Sequence, residues 1–116
     1  MNRKLNGRPI LIIEAEELSA MLIVQAFEDA GATVTSCGTV KSAKELLKKG
    51  IFSAAVLDHS LFQERDALLN LERRGIPYVL HNGLIEVHGA DYKEVPPPIT
   101  ADALIEAVGK LIDEKH

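Results

Sequence analysis

Short apolar runs, each followed by a helix-length stretch that ends in glycine, recur along this chain and restrict its fold more than any other feature. Residues 10–13 form a continuous, largely β-branched run too short for a helix, which reads as a strand buried on both faces. Residues 18–30 follow, rich in Leu, Met, Ala, Glu and Gln. Leu18, Met21, Leu22 and Phe27 stand at helical spacing as the inward face, and Gly31 sits where a helix-ending glycine belongs. Residues 33–36 read as a second strand. Thr39 or Ser42 caps a helix running to Lys49, with Val40, Ala43 and Leu47 on one face and Gly50 closing it. Residues 54–57 are a third buried strand. Residues 64–74 are helical, with Ala67, Leu68 and Leu71 inward and Gly75 closing. Residues 77–80 are a fourth strand.

Strands of this kind, each returned by a helix, imply parallel pairing through right-handed crossovers, with helices on both sheet faces. After Leu80 the rhythm fails. Residues 81–90 hold two glycines and only Leu84, Ile85 and Val87 as a helical turn, and residues 91–95 read as a short fifth strand. Pro96, Pro97 and Pro98 follow as a stiff connector. Thr100 then caps a last helix over 101–114, with Leu104, Val108, Leu111 and Ile112 on one face. Residues 1–6 and 115–116 read as frayed ends, so one domain is expected over residues 5–114.

Composition narrows the function classes. The 116 residues are 47% hydrophobic, which excludes disorder and allows one buried core. Thirteen Lys and Arg against seventeen Asp and Glu give a formal charge of −4, which speaks against a general nucleic-acid grip. The single cysteine, Cys37, excludes a disulfide framework and reads as a small buried or half-buried residue. No run approaches the ~20 apolar residues that a bilayer crossing needs. The short apolar run after Arg8 meets Glu14, Glu16 and Glu17 at once, unlike a secretory signal. A cytoplasmic protein is therefore expected.

In an open parallel sheet, ligands bind beyond the carboxyl ends of the strands. Those ends carry Glu14, Ala15, Glu16 and Glu17 on the first strand and Asp58, His59 and Ser60 on the third. The fourth carries His81, Asn82 and Gly83, and the fifth Pro96–Pro98. Carboxylates converging there can ligate a hard divalent cation, and a carboxylate can act as a nucleophile towards phosphorus. Glu16 and Glu17 are better read as acids favoured at a helix N-terminus. A transition-metal site from His59, His81 and Asp58 has little support, since adjacent strand residues face opposite ways.

The order of these features resembles the receiver domain of bacterial response regulators over nearly the whole chain. Pro9-Ile-Leu-Ile-Ile-Glu-Ala-Glu-Glu-Leu18 is similar to the family's first strand and acidic pair. Ala54-Ala-Val-Leu-Asp58 is similar to the strand that delivers the phosphoacceptor, and Gly75-Ile-Pro-Tyr-Val-Leu80 to the fourth strand. Asp58-His-Ser-Leu61, with Arg73-Arg-Gly-Ile-Pro77 after it, resembles a subgroup of short single-domain receivers. The resemblance implies a three-layer, flavodoxin-like fold with a five-stranded parallel sheet of order 2-1-3-4-5. The short segment between Asn82 and Pro97 implies a fourth helix shortened or lost.

The resemblance also assigns roles. Asp58 takes the phosphoacceptor position and Asn82 the position of the Thr or Ser that contacts the phosphoryl group. Glu14, Asp58 and the Ser60 backbone are the remaining candidates for Mg²⁺. Five positions depart from the family: Glu14 is one methylene longer than the first acid, Ala15 replaces the second acid, Asn82 the Thr or Ser, Pro97 the lysine and Glu94 the switch aromatic. Mg²⁺ demands near-ideal oxygen ligation, so weak binding is expected, and phosphoryl transfer without metal and lysine loses its charge neutralisation. The implied function is a stand-alone receiver with a degenerate site, not an enzyme, whose output is protein–protein contact. Its partner would be a histidine kinase, a phosphotransfer protein or another signalling protein. A homodimer through the first or last helix is also compatible.

Two alternatives stand beside this one. The first is a conventional phosphorelay receiver that accepts a phosphoryl group on Asp58 from a histidine kinase. The second is a small flavodoxin-like ligand binder, disfavoured because Glu14–Glu17 replace a glycine-rich phosphate loop.

Overall fold

The computed structural model describes residues 5–61, 71–81 and 101–115. Four strands are present among them: β1 (Pro9–Ile13), β2 (Thr33–Cys37), β3 (Ala54–Asp58) and β4 (Tyr78–His81). All pair in parallel, in the order β2-β1-β3-β4. Helices α1 (Glu17–Asp29) and α2 (Val40–Lys49) are the first two crossovers, residues 71–73 end a further helical segment, and α3 is Ala101–Lys115. The fifth strand expected at 91–95, the shortened helix and the three prolines lie outside the described residues.

Strand alternation separates two cores. Ile10, Ile12, Ala54 and Val56 point to one face and pack with Ile23 and Phe27 of α1 and with Leu104, Ile105, Val108 and Ile112 of α3. Leu11, Ile13, Ala55 and Leu57 point to the other, with Ala43 and Leu47 of α2, Leu71 and Ile76. Every residue of β3 is buried, as its unbroken apolar run requires. The three-layer parallel architecture expected from the sequence is thus present.

Two local expectations are corrected. Leu18, Met21 and Leu22 do not face the core: they are 60%, 68% and 53% exposed. The buried stripe of α1 is Ile23 and Phe27, flanked by the partly buried Val24 and Ala26. The helix is apolar around most of its circumference, so spacing admits two faces, and the crossover onto the sheet selects one. Residues 5 and 6 are also not frayed. Leu5 is buried in the α1–α3 core, and its amide donates to the Ala30 carbonyl at 3.1 Å.

Caps set the helix ends. Thr39, and not Ser42, is the N-cap of α2, its Oγ1 accepting from the Ser42 amide at 3.1 Å. Gly31 reverses the chain between α1 and β2 with φ of 94°, and a Cβ there would lie 2.9 Å from the Asn6 Cα. Gly31→Ala combines left-handed strain with a backbone clash and should cost about 1–3 kcal/mol. Urea unfolding midpoints measure this; an unchanged midpoint would show that the 5–7 segment yields freely.

Candidate functional site

The sheet register builds the site. Ile13 pairs with Leu57, so the next residues, Glu14 and Asp58, stand side by side, and Asp58 in turn pairs with His81. Glu14, Asp58 and His81 therefore form one row across β1, β3 and β4 at the carboxyl edge. They continue the alternation of Ile12, Val56 and Val79, which places the row over the end of the α1–α3 core. All three are buried.

The row is tightly connected. His81 Nε2 lies 2.7 Å from Glu14 Oε1, with both side chains nearly without solvent contact. The Glu16 amide donates to Glu14 Oε2 at 2.9 Å. Asp58 Oδ1 accepts from the Ser60 amide at 3.0 Å and Oδ2 from the Ala15 amide at 3.3 Å. The Glu14 carboxyl also hydrogen-bonds to Asp58.

Burial pushes the Glu14 carboxyl above the ordinary glutamate value. The hydrogen bond and charge of Asp58 push the same way, and together they outweigh the contacts with His81 and the Glu16 amide. Burial also pushes Asp58 up, but hydrogen bonds from Glu14, Ser60 and Ala15 overcome it and hold Asp58 below the ordinary aspartate value. Within the pair, Glu14 is thus the carboxyl that gives up its proton less readily and Asp58 the one that gives it up more readily.

Linkage gives this a testable sign. The raised Glu14 contributes stability below its unfolded value of about 4.3, and that contribution is lost as pH rises through the folded value. Asp58 acts oppositely, its contribution present above about pH 3.9 and lost as pH falls. The melting temperature of the native chain minus that of Glu14→Gln should therefore fall as pH rises from about 4.3. A difference that grows with pH would contradict the assignment.

The other sequence candidates are placed as follows. Ser60 lies in the short 3-10 turn His59–Leu61, is exposed, and serves Asp58 through its amide. Glu16 caps α1, accepting from the Leu18 and Ser19 amides at 3.1 and 2.7 Å, and Glu17 opens the first turn. Cys37 is half-buried and burial pushes its thiol up. Asn82, Glu94 and Pro97 lie outside the described residues. The element that sequence reasoning missed is the contact between His81 and Glu14. The signal was available in the parity of the strands, which gives Glu14, Asp58 and His81 one face.

These groups do not fit a bound Mg²⁺. Ala15 offers no oxygen, both Glu14 oxygens already have close partners, and an imidazole nitrogen is a poor ligand for a hard cation. Among the described residues, no three His, Cys, Asp or Glu side chains are arranged to hold a metal ion.

Comparison with known proteins bears on the fold. No family model matches the chain, and no curated protein matches it in sequence. Solved structures do. The chain is similar to the BeF3-activated conformation of SdrG from Pseudomonas melonis Fr1, with 27% identity over 90% of this chain and 95% of that one and a TM-score of 0.66. It is similar in fold to the receiver domain of the Francisella response regulator 1452, at 17% identity, 95% and 100% coverage and a TM-score of 0.69. A CheY-like receiver from Methanospirillum hungatei JF-1 gives 16% identity, 95% and 97% coverage and a TM-score of 0.68. The chain has the response-regulator receiver fold in a divergent sequence. Its structural neighbours are signalling modules, and among its described residues no helix is long and apolar enough to cross a membrane.

Proposed function

We propose that residues 5–114 form a receiver-like signalling module whose carboxyl-edge site is degenerate and which acts through protein–protein contact. The observation that carries this reading is the state of Glu14. Its oxygens are taken by the Glu16 amide and His81, and its neighbour Ala15 supplies no ligand. Phosphoryl transfer to a carboxylate depends on neutralising charge at the acceptor, and this edge has lost the groups that do so. Asp58 and Asn82 keep the positions of phosphoacceptor and hydroxyl residue, with turnover weak or absent. Glu14, Asp58 and the Ser60 backbone offer Mg²⁺ weak ligation at most. Leu18, Met21 and Leu22 add an exposed apolar ridge on α1 that suits contact with a protein partner, a kinase or phosphotransfer protein included.

Acetyl phosphate or beryllofluoride with Mg²⁺ tests the reading. No Asp58-dependent mass or spectral change is expected, and partner affinity should survive Asp58→Ala; a clear Asp58-dependent change sinks it. One observation favours the conventional phosphorelay alternative: hydrogen bonds hold Asp58 below the ordinary aspartate value, which favours the carboxylate form that must attack. The same experiment decides between the two.

A further inference from the structure

Two buried carboxyl groups that touch each other need a compensating donor or cation, because an uncompensated buried charge is costly. The family that this chain resembles meets that need with a divalent metal held by its acidic pair. Here the row Glu14–Asp58–His81 already contains its own compensating group. His81 Nε2 is 2.7 Å from Glu14 Oε1, and the imidazole has no solvent contact through which to leave easily. A Mg²⁺ ion would need that oxygen at about 2.0–2.1 Å and would gain nothing from the ring nitrogen.

We infer that His81 takes the Glu14 oxygen that a divalent cation would need, and so locks the site against hard cations independently of the missing acid at Ala15. The inference rests on the degenerate-site reading and deepens it: the site is closed by an added group as well as weakened by a lost one. Sequence parity makes the device simple. The last residue of β4 shares the face of Asp58, so one substitution at a strand end delivers the ring to the carboxylates.

The test is Mg²⁺ titration of the whole chain, followed by amide NMR shifts of residues 14–17 and 58–60 and by thermal shift. Ala15→Asp restores the lost carboxylate without touching the buried imidazole. It is expected to leave the weak Mg²⁺ response of the native chain essentially unchanged. Ala15→Asp combined with His81→Thr is expected to bind Mg²⁺ saturably, about tenfold or more tighter than Ala15→Asp alone, the value of removing one competing contact on the Glu14 oxygen. His81→Val serves in the same comparison if the threonine does not fold. Tight Mg²⁺ binding by Ala15→Asp with His81 in place overturns the lock, as does equal affinity with and without the ring. Failure of the lock is distinguishable from failure of the degenerate-site reading. A native chain that resists acetyl phosphate while its Ala15→Asp form binds Mg²⁺ normally removes the lock alone.

Discussion

Phe27→Ala is expected to lose about 3–5 kcal/mol of stability, while Met21→Ala on the same helix changes it by about 0.5 kcal/mol or less. Phe27 is fully buried where α1 meets α3 and the sheet, so truncation opens a large cavity between elements that cannot all collapse around it. Met21 is 68% exposed and has little burial to lose. Urea denaturation with an unchanged slope measures both. Comparable losses at the two positions would mean that α1 presents its other face to the core.

His81→Leu is expected to be the second large effect, at about 1–3 kcal/mol, the cost of leaving a buried polar partner unsatisfied. Leucine fills much of the ring's volume but leaves the Glu14 oxygen buried against a hydrocarbon. Removing one member of a buried pair strands the other, which is why such losses exceed what the pair itself contributes. Combining His81→Leu with Glu14→Gln should recover part of the loss. A coupling of about 0.5–3 kcal/mol is expected for groups in direct contact, and strict additivity would show that the 2.7 Å approach carries no energy.

The two predictions mark different degrees of legibility. The parallel sheet was readable because strands buried on both faces need unbroken apolar runs, and residues 10–13 and 54–57 have them. The face of α2 was also readable. Its polar side is strongly charged, so Val40, Ala43 and Leu47 turn inward, with Leu46 partly buried beside them. The face of α1 was not, because Leu18, Met21 and Leu22 compete with Ile23 and Phe27 at equal helical spacing. Burial of Leu5 was hidden for a similar reason: one leucine in a polar stretch has no periodicity to read.

At the site, the same division holds. Asp58 and Glu14 were identifiable as strand-end acids, and the loss at Ala15 was plain from the residue itself. His81 could be placed at the edge, but its partner could not be named from the sequence.

Local pattern determined the described strands and helices, their parallel pairing and the edge that carries the strand-end acids, since each follows from residue type and period along one stretch of chain. Only the tertiary structure decided which side of α1 meets the core and which carboxylate meets His81. Both depend on contacts between segments distant in sequence. A contact of 2.7 Å between residues 14 and 81 exists only once β1, β3 and β4 are aligned.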